Sequence, residues 1–167
     1  MSQDCCSPSA EKETLSRCPQ NDNRGKPVQL ITLKSLLKPA ALERLDPTSN
    51  YRFCETTECS VVYFSTLGDT FTIQDLKVPI FQKDDSADVP VCYCFGWSRQ
   101  RLQKELASTG KSTAIESITA HIQAKRCGCE VNNPQGSCCL GNVRRALQKR
   151  CDPSNDYQYH MKVCSDD

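Results

Sequence analysis

Residues 92–94 read Cys-Tyr-Cys, and after 32 intervening residues the chain reads CGCEVNNPQGSCC from 127 to 139. A Cys-x-Cys pair is a poor chelate for a single tetrahedral zinc ion, because zinc sites favour two to four residues between ligands. Two irons bridged by sulfide are an easier fit, since the four thiolates then bind as two per iron. These cysteine pairs therefore predict a [2Fe–2S] cluster.

Helices are predicted on either side of the second cysteine group. The first is capped by Ser98 and ends before Gly110, and the next begins with the capping-box spacing Thr113-Ala114-Ile115-Glu116. A last helix is predicted over 140–149, directly after Cys139. Its first backbone N–H groups have no partner within the helix, so we expect them to point at an anionic cluster.

A second constellation is Cys54 and Cys59, with four residues between them. A Cys-x4-Cys turn between two strands is compatible with a zinc knuckle, and two thiolates are half of a tetrahedral site. Cys18 is the candidate third ligand, and Cys5 or Cys6 the candidate fourth. The alternative is that Cys54 and Cys59 are small buried hydrophobes without metal.

Short strands and helices are predicted around this knuckle. Aromatic and β-branched residues favour strands at 51–53 and 60–64, and a further strand through Phe71 and Ile73. Val28, Leu30 and Ile31 are strand-like as well. A helical stripe starts near Thr32, and Pro39 interrupts it and opens a second short helix.

The cysteine count itself favours metal over disulfides. The chain has 13 cysteines, an odd number, and its first residues (MSQDCCS) have no basic region followed by an apolar one. No apolar run approaches the length of a membrane span. We therefore expect a cytoplasmic protein whose thiols are reduced and bind metal. The 21 Lys and Arg against 20 Asp and Glu give +1, which argues against a protein that coats nucleic acid.

The sequence predicts an α+β fold, with a small zinc-binding, mainly β module followed by a small helical [2Fe–2S] module. The zinc module is assigned to 18–81 and the cluster module to 91–150, with a proline-flanked, acidic linker at 82–90 between them. Polar segments at 1–17 and 151–167 are predicted to be tails, and the first is predicted to be disordered.

Two pairs of strings resemble one family. VCYCFGWSRQRLQKEL with CGCEVNNPQGSCCLGNVRRAL is similar to the [2Fe–2S] module of the CopZ N-terminal domain, a relative of the bacterioferritin-associated ferredoxin fold. CPQNDNRGKPVQLITLKSLLKP with YRFCETTECSVVYF resembles the zinc-binding module that precedes it in that family. The resemblance covers roughly residues 18–147.

The resemblance implies specific ligands. For the cluster they are Cys92, Cys94, Cys129 and Cys139. Cys129 is preferred to its neighbour Cys127 because it stands four residues before the Asn133-Pro134 turn. Cys139 is preferred to Cys138 because Val143, four residues later, opens the helical stripe. For zinc, the matching residues are Cys18, Cys54 and Cys59.

The sequence departs from the family pattern in two ways. Asn21 stands where family members often have the second cysteine of Cys-Pro-x-Cys, so the fourth zinc ligand is expected from Cys5 or Cys6. The copper-chaperone form of the family adds a domain with a Met-x-Cys-x-x-Cys copper loop, which this sequence lacks. The resemblance therefore implies the redox module without a copper-carrying role.

The leading hypothesis is one-electron transfer to a protein redox or metal-handling partner, in the context of copper or another thiophilic metal ion. The alternative is a metal-ion chaperone or sequestration protein without electron transfer, in which surplus thiols capture Cu(I) or Hg(II). Those thiols belong to Cys5, Cys6, Cys127, Cys138, Cys151 and Cys164.

Two further classes have little support. A zinc ribbon that binds nucleic acid is disfavoured, because the short basic runs are not interleaved with aromatics. Enzymatic catalysis is not expected, because His121 and His160 stand apart from any evident nucleophile. His121 is predicted to lie on a helix surface, and Trp97 to pack over the cluster.

Overall fold

The N-terminal half of the molecule is built on a small antiparallel sheet. The computed structural model describes residues 16–148. Four strands pair in the order in which they occur along the chain: β1 (Lys26–Val28), β2 (Tyr51–Phe53), β3 (Val61–Ser65) and β4 (Thr70–Thr72). Together with the helices that follow it, this sheet confirms the predicted α+β class.

Two short helices, α1 (Leu30–Leu36) and α2 (Pro39–Leu42), cover the sheet. Pro39 occupies the first turn of α2, as predicted. Leu30 and Ile31 are helical rather than extended, because Leu33 and Leu37 follow at helical spacing and are fully buried against the sheet.

The predicted strand through Ile73 is shorter than expected. β4 ends at Thr72, and a 3-10 turn takes Ile73–Asp75. The Asp75 carboxylate accepts the Thr72 backbone N–H at 2.7 Å, which closes this turn instead of extending the ladder.

The C-terminal half consists of a hairpin and four helices: β5 (Pro90–Cys92), β6 (Trp97–Ser98), α3 (Arg99–Thr109), α4 (Ala114–Gln123), α5 (Cys129–Asn132) and α6 (Leu140–Gln148). The Ser98 side chain accepts the Arg101 N–H at 3.1 Å, and Gly110 ends α3 with φ 76°. Both ends of α3 thus agree with the prediction. The hairpin and α5 were not predicted.

The predicted capping box at Thr113 is wrong. The Thr113 hydroxyl does not cap α4 but donates to the Glu105 carboxylate at 2.6 Å. The same carboxylate accepts the Thr113 N–H at 3.0 Å. A partner on α3 therefore replaces the local cap that the spacing indicated.

The connecting segment after the sheet packs against both halves. Ile80 is fully buried in the N-terminal core, and Phe81 packs against the C-terminal core. The Arg99 guanidinium donates to the carbonyls of Phe81 and Asp84, each at 2.7 Å. The acidic stretch predicted as a linker is thus fixed at its start by α3.

The two halves meet where α1 packs on α5. The Thr32 hydroxyl donates to the Glu130 carbonyl at 2.6 Å, and the buried Tyr63 hydroxyl donates to the Pro134 carbonyl at 2.7 Å. Gly136 has φ +67°, and a Cβ there would lie 2.8 Å from Val28 Cγ2. Only glycine fits this joint without displacement.

Within 16–148, no helix is long and apolar enough to cross a membrane.

Candidate metal centres

Three buried cysteines, Cys18, Cys54 and Cys59, form a compact group that we call the triad. All three sulfur atoms lie within 4.8 Å of one another, and Cys18 Sγ is 3.8 Å from Cys59 Sγ. Tetrahedral zinc with Zn–S bonds of about 2.3 Å places its sulfurs about 3.8 Å apart. The triad therefore fits three ligands of one zinc ion.

Local backbone structure positions each sulfur of the triad. Cys54 follows β2 and donates its N–H to the Val62 carbonyl at 2.8 Å, which keeps it paired with β3. Cys59 closes the turn before β3 by donating to the Thr56 carbonyl at 3.2 Å. Cys18 lies in a tight turn, where its carbonyl accepts the Asp22 N–H at 2.8 Å.

The pKa values of two thiols in the triad are shifted in opposite directions. Burial raises the pKa of the Cys18 thiol to about 11. Burial acts the same way on Cys54, but the Asn21 side-chain N–H donates to its sulfur at 3.4 Å and, with further donors, brings its pKa below the ordinary value. Cys54 is thus the readier thiolate.

Lys83 supplies positive charge beside the triad. Its ammonium donates to the Thr56 carbonyl at 2.6 Å and to the Cys59 carbonyl at 2.9 Å. Burial lowers the pKa of Lys83, and the three neighbouring cysteines oppose this when ionised. Three thiolates on one Zn²⁺ leave a net negative charge, which a half-buried lysine offsets.

Asn21, which stands where the resemblance implies a cysteine, lies at the triad itself. Its side-chain N–H bonds Cys54 Sγ, and its oxygen accepts the Asn23 N–H at 2.9 Å. Cys5 and Cys6 lie outside the described residues, so the fourth ligand stays a prediction. The alternative in which Cys54 and Cys59 are plain buried hydrophobes accounts for their burial but not for the convergence of three sulfurs.

A second group, which we call the quartet, contains Cys92, Cys94, Cys129 and Cys139. Cys94 Sγ lies 3.9 Å from Cys129 Sγ, and Cys139 interacts electrostatically with both Cys92 and Cys129. Three of the four cysteines are buried, whereas Cys94 is half-exposed. The quartet therefore brings together all four residues that the resemblance implies as cluster ligands.

These four cysteines lie on or beside different secondary-structure elements. Cys92 ends β5, Cys94 lies in the hairpin loop, and Cys129 begins α5. Cys139 directly precedes α6, and its carbonyl accepts the N–H groups of Asn142 and Val143 at 2.9 and 3.0 Å. Residues far apart in sequence thus converge because the hairpin packs on α6.

The quartet is more open than the triad. Among residues 16–148, the triad alone has three ligand atoms mutually within 4.8 Å, so no three sulfurs of the quartet meet that condition. Cys94 instead lies close to Cys129, and Cys139 interacts electrostatically with both Cys129 and Cys92. One tetrahedral ion needs mutually close sulfurs, whereas two bridged ions need only neighbouring pairs.

Interactions among the sulfurs favour negative charge on Cys92 and Cys129. The neighbouring Cys139 thiol lowers the pKa of Cys92 to about 7 and that of Cys129 to about 6. The same interactions raise the pKa of Cys139 itself.

Burial raises the pKa of Cys94 to about 11. The Gly128 N–H, at 3.4 Å, and the Asn132 amide, at 3.6 Å, donate to its sulfur and oppose that effect. Sequence reasoning missed Asn132, because no local signal marks an asparagine that reaches a distant sulfur.

The neighbouring cysteines stay outside the quartet. Cys127 is half-exposed and Cys138 is exposed. Cys151 and Cys164, together with His160, lie outside the described residues. In the pairs Cys127/Cys129 and Cys138/Cys139, the cysteine that the sequence analysis prefers is the buried one.

Two aromatic residues flank the quartet. Trp97 is 3% exposed and packs in the same core as Cys92 and Cys139, and its packing over a cluster stays a prediction. His121 is half-buried, and its ring stacks on Phe95 at 4.2 Å between centroids. The prediction of a helix-surface histidine is thus only partly right, because the hairpin loop covers one face of the ring.

The N-terminal half is similar to a known protein family. Residues 15–77 match the family model zf_CopZ, described as a zinc binding domain. These residues are therefore similar to the zinc-binding domain of CopZ-type proteins. The match includes all three cysteines of the triad, and it ends before the quartet.

One solved structure is similar over most of the chain. It is the X-ray structure of the CopZ N-terminal domain from Archaeoglobus fulgidus, with 29% sequence identity and a TM-score of 0.66. The similarity covers 77% of this chain and 95% of that one. No curated protein matches the chain.

Proposed function

We propose that this protein is a one-electron carrier that holds a [2Fe–2S] cluster in the quartet and a structural zinc ion in the triad. The observation that carries the proposal is the quartet itself, four cysteines from separate elements with two N–H donors on the most exposed sulfur. The resemblance to the CopZ N-terminal domain supports it.

The residues of the chain would perform three tasks around such a cluster. Cys92, Cys94, Cys129 and Cys139 would bind the irons as thiolates. The N–H donors of Gly128 and Asn132 would stabilise negative charge on Cys94. Burial of the other three sulfurs would keep water away and restrict electron exchange to one side. The cluster, when bound, supplies reversible uptake of one electron.

The triad would have a structural task in this scheme. Zinc would join the Cys18 turn to the loop between β2 and β3 and thereby stabilise a sheet of short strands.

The electron accepted from a reduced partner would pass to an oxidised one, and the resemblance suggests the handling of copper or another thiophilic metal ion as the context.

The test is anaerobic purification with iron, sulfide and zinc counted, followed by a redox titration. We expect two irons, two sulfides and one zinc per chain, a visible absorption band and reversible one-electron reduction. A colourless protein with zinc but no iron would refute the cluster.

A second candidate function is capture of soft metal ions without electron transfer. It is favoured by Cys127 and Cys138, two accessible thiols that neighbour quartet cysteines in the sequence but do not belong to the quartet. Anaerobic titration with Cu(I) measures it. Stoichiometric binding that disappears in the double variant Cys127→Ser/Cys138→Ser, with a cluster that cannot be reversibly reduced, would favour this function over the first.

A further inference from the structure

Positive charge is concentrated in the half of the chain that carries the quartet. Residues 91–150 contain ten Lys and Arg against three Glu, a formal charge of +7. Residues 1–90 contain ten Lys and Arg against thirteen Asp and Glu, a charge of −3. The near-neutral total of the chain conceals this asymmetry.

Two of these arginines belong to a small surface beside Cys94, which we call the Phe95 rim: Phe95, Arg101, His121 and Arg126. The Arg101 guanidinium lies over the Trp97 ring at 3.7 Å and donates to the Phe95 carbonyl at 3.2 Å. On the other side, Phe95 stacks on His121, whose Nδ1 lies 3.3 Å from the Arg126 guanidinium.

The rim borders the accessible side of the quartet. Cys94 immediately precedes Phe95 and is half-exposed, whereas the other three cysteines of the quartet are buried. Electron exchange requires close approach to the metal, so a partner must arrive on this side. This step rests on the proposed function.

The charges of the rim are available to a partner. Among the described residues, no ion pair within 4.0 Å joins Arg101 or Arg126 to a carboxylate. Glu105 follows Arg101 by one turn of α3, but its carboxylate already accepts from Ser112 and Thr113. Glu130, exposed near Cys129, and Glu105, which interacts electrostatically with Arg101, reduce the positive potential there.

We propose that the Phe95 rim is the docking surface for an electron-transfer protein with an acidic face. Complementary charge would steer the encounter and orient the partner toward Cys94. A protein surface is favoured over nucleic acid, because one face of Phe95 is already covered by His121 and the other described aromatics beside the quartet are buried or half-buried.

The test measures binding of fluorescein-labelled poly-L-glutamate to the metal-loaded full chain, by anisotropy at low salt. A single-stranded DNA of equal charge is the second probe. The variant Arg101→Gln/Arg126→Gln should weaken poly-glutamate binding about fivefold to tenfold. The control Lys34→Gln/Lys111→Gln removes two exposed charges away from the rim and should change binding less than twofold.

A third variant, Arg101→Lys/Arg126→Lys, keeps the charge and removes the guanidinium contacts of Arg101 with the hairpin and of Arg126 with His121. Binding within about twofold of the unaltered protein assigns the effect to charge. An equal loss in the control, an equal loss in the lysine variant, or tighter binding of the DNA probe would each overturn the proposal. The anisotropy measurement does not depend on iron. Absence of the visible band would therefore refute the proposed function, and the binding data would still test the docking surface separately.

Discussion

The triad and the quartet use the same side chain but differ in shape. The triad is compact, lies in the turns of a sheet and has a half-buried lysine beside it. The quartet is less compact, with one accessible member and N–H donors directed at that member. The difference teaches that two groups of cysteines in one chain can differ in mutual sulfur spacing and in exposure, and the proposed function assigns one ion to the compact group and two to the open one.

The largest effect is expected at the triad. Cys54→Ser should abolish zinc binding and destabilise the sheet half by on the order of 3 kcal/mol or more, a fraction of the roughly 10–16 kcal/mol that structural zinc supplies in zinc-finger peptides. Zinc analysis and thermal unfolding measure both effects. Cys138→Ser, at an exposed thiol, is the control. Unchanged zinc content would favour the alternative of small buried hydrophobes.

The next effect tests whether the quartet is a separate site. Cys139→Ser should eliminate the visible band and the iron, and it should leave one zinc ion per chain. Cys138→Ser, one residue earlier, should keep both metals, because its side chain lies outside the quartet. Loss of iron in both variants would show that the choice between these neighbours is wrong.

A smaller effect is expected at the joint between the halves. Tyr63→Phe leaves the buried Pro134 carbonyl without its donor and should cost about 1–3 kcal/mol. It should also accelerate cluster loss, measured as the decay of the visible band. Tyr51→Phe makes the same change at a buried tyrosine whose partner, Asp46, lies within the sheet half. Equal decay rates in the two variants would mean that the joint does not support the quartet.

The smallest effect concerns the hydrogen bonds to sulfur. Asn132→Ala removes a donor to Cys94, so the reduced cluster loses stabilisation and its potential should fall by about 20–60 mV, equivalent to roughly 0.5–1.4 kcal/mol. Protein-film voltammetry measures the shift. Asn21→Ala, the corresponding change at the triad, should leave the potential unchanged. A shift of the same size in both variants would remove the distinction between the two sites.

Local chemistry explains which elements could be predicted. Ser98 and Gly110 delimit α3 through interactions with adjacent residues, so the sequence alone was sufficient. Thr113 has an equally clear local signal, but Glu105 on the neighbouring helix provides a better partner. The hairpin of β5 and β6 was missed because strands of three and two residues show no periodicity.

The sites divide in the same way. The spacing of Cys54 and Cys59 predicted a metal knuckle, whereas the choice of Cys129 and Cys139 within their pairs came from the family resemblance. Asn132, Lys83 and the rim arginines act through contacts between distant segments. No pattern along the chain records such contacts, and the fold is needed to find them.

The joint at Gly136 also has a consequence for biosynthesis. The loop between Cys129 and Cys139 rests on α1 and on Tyr63, so its final shape depends on a sheet that has already formed. Under the proposed function, we therefore expect zinc to bind first and iron and sulfide to be loaded afterwards. Cells grown without zinc should accumulate the chain without a cluster even when iron is plentiful, whereas iron-starved cells should still yield the zinc form.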